Sequence, residues 1–148
     1  KGQKIFIEAI KLINERTDIT PFQAIILGSS QGRNVYKKQL LDLTQQHRLN
    51  NVVKFIDHCK EMPVAYGISN LVCSCSGEPE SFGRVSVETQ SMQVPIIASN
   101  IGGSKETIIQ DKTGYLFKNK DPASLADLIA RSTCSSTIAS TSCACSCA

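Results

Sequence analysis

Residues 22–28 read FQAIILG, a short uninterrupted apolar run closed by a glycine. A strand with no polar face must be covered on both sides, the condition of a parallel sheet sandwiched between helices. The motif recurs as NVVKFI (51–56), NLVCSC (70–75), VPIIAS (94–99) and TGYLFK (113–118), so five strands are expected. Between them lie segments of helical period: 3–13, 34–49, 61–69 with Pro63 in its first turn, 82–92, and a short helix over 105–110. Asp121 followed by Pro122 is the N-cap and first position of a last helix. Strands alternating with helices predict a doubly wound α/β domain with a Rossmann-like parallel sheet. The chain starts directly in a helix, whereas such units begin with a strand, often a central one; a first strand is therefore expected ahead of Lys1.

Composition narrows the function classes. The 148 residues make one domain, placed at 1–131, with 41% apolar and 20% charged residues, as in a soluble globular protein. The net charge of +3 is mild, and the basic residues are scattered without interleaved aromatics, which argues against a nucleic-acid partner. No apolar run approaches the ~18 residues of a membrane span, and the start carries no secretory signal. Seven cysteines, an odd number without framework spacing, fit a reduced, cytoplasmic setting. Residues 132–148 contain only Ser, Thr, Cys, Ala, one Ile and are otherwise featureless. The Cys-x-Cys-x-Cys of 143–147 could supply metal thiolates, though no His or fourth-ligand pattern completes such a site; the segment otherwise reads as a flexible low-complexity tail or, the preferred reading, as short-side-chain placeholder letters rather than the gene's own sequence, and no function is assigned to it. A protein mass matching these letters would exclude the placeholder reading.

In open α/β sheets, ligands sit beyond the carboxyl ends of the strands. Three loops are expected there: GSSQGR (28–33), SGEPESFG (76–83) and NIGGS (100–104). None is a phosphate-loop or dinucleotide fingerprint. Two carboxylates stand out in EPESFGRVSVE (78–88): Glu80, ahead of the expected helix, and Glu88 within it. Phe82, Val85, Thr89 and Met92 are expected to face the sheet, with Glu88 at the border of that stripe. Glu88 suits a pair of ribose hydroxyls, or a salt bridge with a nearby cation. Glu80 suits a ligand hydroxyl, or capping of the helix and its dipole. His58 follows a strand at the ligand edge and could touch a ligand, or lie solvated, as is expected of His47. No Ser-His-Asp or Cys-His arrangement is legible, and no His/Asp cluster has metal spacing.

The stretch EPESFGRVSVETQSMQVPIIASNIGGSKETI resembles the signature region of family 4 glycosyltransferases, the retaining group with the GT-B fold. Their hallmark is a Glu, seven residues and a second Glu, with Phe-Gly after the first: here Glu80, Phe82-Gly83 and Glu88. KGQKIFIEAI, ILGSSQGRNVYKKQLLDL, VVKFIDHCKEMPVAYGISNLV and TGYLFKNKDPASLADLI extend the likeness from Lys1 to about residue 130. The wording EPE-x-FGR with GGSKET resembles bacterial members that build envelope polysaccharide or lipopolysaccharide. The resemblance implies the nucleotide-sugar-binding half of a two-domain transferase. It puts the catalytic-site residue Glu80 on the donor sugar and Glu88 on the ribose. The amides around Phe82, Gly83 and Arg84 meet sugar or phosphate, Val85 packs near the nucleoside, and Lys1 neutralises the diphosphate. The base lies against 56–59, which includes His58.

It also implies a nucleoside-diphosphate sugar as substrate, no metal or other cofactor, and a missing N-terminal acceptor domain. Peripheral association of the full enzyme with the inner face of the membrane follows as well, and the domain alone is expected to be inactive. Thr89, Gln90, Ser91 and Gln93 replace the Ala-Met-Ala and Gly usual in the family, and Asp57 stands where a glycine is common, which alters the base contacts. Two alternatives are another GT-B enzyme, such as a sugar-nucleotide epimerase, and a non-catalytic nucleotide-binding module.

Overall fold

The structure, a computed structural model, describes residues 2–16, 21–28, 34–57, 59–134 and 141–146. The elements run α1 (Gln3–Asn14), β1 (Phe22–Leu27), α2 (Asn34–Gln46), β2 (Val53–Ile56), α3 (Met62–Gly67) and β3 (Leu71–Ser74). They continue with α4 (Arg84–Ser91), β4 (Ile96–Ser99), α5 (Ser104–Thr107), β5 (Tyr115–Phe117), α6 (Pro122–Cys134) and β6 (Thr141–Ser146). The strands form one parallel sheet in the order β2-β1-β6-β3-β4-β5.

The apolar runs become strands; the inner β3 and β4 are buried on both faces, whereas β1, β2 and β5 keep partly exposed positions, and the two-residue period of a strand deals the buried side chains to two cores. Ile26, Cys73 and Ile97 point to one face, packed with Phe6 and Ile10 of α1 and Leu125 and Ile129 of α6. Val72, Ile96 and Ala98 point to the other, packed with Tyr66 of α3 and Val85 of α4. Every residue of β3 and of β4 is buried. The last helix starts as its residues demand: Asp121 Oδ1 accepts from the N–H groups of Ala123 and Ser124, both at 3.1 Å, and Pro122 fills the first turn.

Three expectations change. The helix carrying Glu88 begins at Arg84, two residues later than expected, because Gly83 takes the left-handed conformation (φ 66°) as its N-cap. Phe82 therefore lies in the loop, 62% exposed, and Met92 is 41% exposed. The buried face of α4 is Val85, Ser86 and Thr89. The helix expected over 105–110 ends at Thr107, since Ile108 turns extended and Gln110 bridges to Gly114.

The third change concerns the tail. Residues 132–148 were assigned no element, yet α6 runs on to Cys134 and β6 lies between β1 and β3, aligned with both. Two parallel strands with a gap between them leave a row of backbone donors and acceptors on each side, and a strand is what satisfies both rows. β6 fills that central slot. Crossovers through α2 step outward to β2 on one side, and those through α4 and α5 step outward to β4 and β5 on the other. The order reverses between β1 and β3, and the crevice at their carboxyl ends is the place for a ligand.

Candidate nucleotide-sugar site

The start of α1 reaches this crevice by backbone alone. A Cβ on Gly2, the N-cap of α1, would fall 1.3 Å from the carbonyl oxygen of Cys75, just past β3. Only glycine admits this approach, and it brings the first-turn amides of α1 to the carboxyl edge of the central strands. No side chain caps that N-terminus. Such amides and the helix dipole favour an anion. Lys1 and His58 lie outside the described residues, as does the loop 29–33. Asp57, ahead of His58, is ion-paired with Lys37 of α2.

The loops after β3 and β4 interlock. The Gly103 N–H donates to the Glu80 carbonyl at 2.8 Å. A Cβ on Gly102, whose φ is 57°, would sit 2.6 Å from the Glu80 oxygen and 2.8 Å from its nitrogen. One on Gly103 would sit 2.6 Å from the Phe82 carbonyl carbon. The contact is reciprocal, because a Cβ on Gly83 would lie 3.2 Å from the Ser104 nitrogen. Below it, Gln90 Nε2 donates to the carbonyls of Ser86 and Thr107, both at 3.0 Å, and ties α4 to α5. The backbone of Glu80 is thus held directly by Gly103, through a hydrogen bond, and by Gly102, through close approach, rather than by its own side chain.

The two carboxylates behave differently. Glu80 is partly buried, and among the described residues no hydrogen bond or ion pair engages its carboxylate. It does not cap α4: Gly83 is the N-cap and no side-chain cap bond is present. Glu88, whose side chain is 41% exposed, is held at both oxygens. The Tyr66 hydroxyl donates to Oε2 at 3.0 Å, and Arg84 Nη2 approaches Oε1 at 3.4 Å. The salt bridge weighed for Glu88 is therefore present, made by Arg84 one turn earlier, whose side chain is 78% exposed. Val85 is 3% exposed and belongs to the core under α4, while Phe82 stands on the surface of the loop. The amides of Arg84 and Val85 open α4, and first-turn amides lack intrahelical partners. Glu80, Phe82 and Gly83 thus lie in the loop that leads into α4, Arg84 opens the helix, and Glu88 follows one turn in, joined to Arg84.

Two features were not anticipated from the sequence. Tyr66 carried no signal, since its helix shows only that it is apolar on one side. The pair Gly102-Gly103 signalled a turn but not the strand-end loop it locks.

The profile of glycosyl transferases group 1 matches residues 1–133. The chain belongs to this family. The curated relatives it matches are longer. The D-inositol 3-phosphate glycosyltransferase of Corynebacterium urealyticum is 27% identical over 132 residues, which is 87% of this chain and 31% of that protein. The chain thus spans about a third of the length of the curated relatives it matches.

Among solved structures, Anabaena Alr3699/HepE in complex with UDP and glucose superposes with a TM-score of 0.80 at 30% identity, over 90% of this chain and 37% of that one. The C-terminal domain of the group 1 family protein LpcC from Francisella tularensis superposes with a TM-score of 0.75 at 28% identity, over 87% of this chain and 67% of that one. The fold is that of the Rossmann-like C-terminal domain of GT-B glycosyltransferases. Among the described residues no helix of this group 1 domain is long and apolar enough to cross a membrane.

Proposed function

We propose that the domain binds a nucleoside-diphosphate sugar and presents it for retaining transfer, as in family 4, to a glycan or lipid-linked acceptor of the bacterial envelope. The observation that carries this reading is the contrast between the two carboxylates. Glu88 is anchored at the rim of α4, and Glu80, eight residues ahead, stands unengaged among the described residues on a backbone locked by glycines. A pinned carboxylate suits a fixed pair of ribose hydroxyls, and an unengaged one beside helix amides suits a sugar hydroxyl. The UDP and glucose bound by Alr3699/HepE support a ligand of this class.

The leaving diphosphate gains stabilisation from the N-termini of α1 and α4 and from Lys1, a compact point charge. Charge on the leaving group develops as the glycosidic bond to it breaks, and fixed dipoles act most strongly where water is excluded. That exclusion needs a facing surface, which we assign to an acceptor-binding domain; the greater length of the relatives supports this. The setting is cytoplasmic, with the full enzyme at the membrane face where a lipid-linked acceptor is presented, and no metal takes part.

The test is ligand-observed NMR on the 148-residue chain with UDP-glucose, followed over hours. The expected result is saturation transfer to the ribose and hexose protons with no free glucose and no transfer product. Absence of any contact with the nucleotide sugar overturns the donor reading, and turnover by this chain alone overturns the need for a facing domain.

A further inference from the structure

Tyr66 does chemistry that its place in the core does not require. Its ring is 2% exposed, packed with Val72, Val85, Val94 and Ile96. Its hydroxyl nevertheless emerges at the rim of α4 and donates to Glu88 Oε2 at 3.0 Å. The other oxygen, Oε1, meets among the described residues only the long contact at 3.4 Å from Arg84, on a side chain 78% exposed. The two holds are unequal. One comes from a hydroxyl whose position is set by a packed ring, the other from an exposed guanidinium whose pairing energy is small.

We propose that Tyr66 is a positioning residue for the donor ribose: it pins one oxygen of Glu88 so that the other is presented to the ribose hydroxyls. This rests on the reading of Glu88 as the ribose carboxylate. A free glutamate must surrender rotamers when it binds a ligand, whereas one already tethered through Oε2 has surrendered them on folding. The tether is a neutral hydroxyl and brings no competing cation to the ribose position. Arg84 is the partner a ligand displaces. Once off Oε1, it is free to turn toward a phosphate at the start of α4, which couples occupation of the ribose position to that of the diphosphate.

The experiment is calorimetric titration of the 148-residue chain with UDP and with 2′,3′-dideoxyUDP, in the parent protein, Tyr66→Phe, Glu88→Gln and the double variant. Phenylalanine keeps the ring in its core site, and the thermal midpoint checks the fold. The parent is expected to prefer UDP by about tenfold or more, the worth of hydrogen bonds to a charged group. Tyr66→Phe should lose most of that preference, through UDP alone, and should have no further effect once Glu88 is Gln. A purely structural role would weaken both nucleotides alike. The inference is overturned by a variant that keeps the parent's preference, or by effects of the two substitutions that simply add. A parent that binds neither nucleotide, or does not distinguish them, removes Glu88 from the ribose and takes both readings down together.

Discussion

Gly102→Ala is the sharpest probe of how the loops hold Glu80. The φ of 57° is in the left-handed region, where an L side chain costs about 1 kcal/mol. The new Cβ would also press on two backbone atoms of Glu80, at 2.6 and 2.8 Å, and backbone cannot swing aside as a side-chain tip can. Overpacking of this kind costs about 1–3 kcal/mol, giving a total of about 2–4 kcal/mol. With a urea m-value of about 2 kcal/mol/M, the unfolding midpoint should fall by about 1–2 M.

Gly67→Ala is the matched control. Its Cβ would meet only Met92 Cε, at 3.7 Å, with no positive φ to strain, at the last position of α3. Alanine there should be neutral or stabilising by up to about 1 kcal/mol. Urea titrations followed by far-UV circular dichroism on the three proteins decide the matter. If both substitutions shift the midpoint equally, the loops are not interlocked through Gly102, and the fixed placement of Glu80 loses its physical basis. Nucleotide-sugar affinity should fall with Gly102→Ala and not with Gly67→Ala.

Other substitutions follow from the same geometry. The Thr89 hydroxyl is fully buried without a hydrogen-bond partner among the described residues, so Thr89→Val should stabilise by about 1 kcal/mol and raise the melting midpoint by about 2–4 °C in calorimetry. Arg84→Ala should change stability by less than about 0.5 kcal/mol, because its ion pair is exposed, while weakening the binding of a nucleoside diphosphate and flattening its salt dependence. Glu80→Gln should leave the urea midpoint unmoved, since no fold contact uses its carboxylate among the described residues, yet remove the saturation-transfer signal on the hexose of UDP-glucose while that on the ribose persists.

Much of the fold was legible because it rests on local rules. The runs around Ile26, Val72 and Ile97 are apolar on both faces, and only a sheet covered on both sides accepts that. Asp121 and Pro122 announced α6 through capping chemistry that needs no tertiary information. The start of α4 was misplaced because a glycine can either continue a turn or break it, and only the close approach of Gly103 and Ser104 selects the left-handed form at Gly83. β6 was missed because Ser, Thr, Cys and Ala in any order carry neither period, so its place depends on the gap between β1 and β3. In the site, Glu80 and Glu88 were legible by spacing and resemblance. Tyr66 was not, because its contact spans 22 positions between two helices whose relative rotation the sheet decides.

The most direct test of the central claim is isothermal titration of the 148-residue chain with UDP, GDP and ADP, repeated on Glu88→Ala. A donor-binding domain should bind one of the three saturably, and truncation of Glu88 should weaken that binding by about tenfold or more. A chain that binds none of them, or one that binds as tightly without Glu88, contradicts the account.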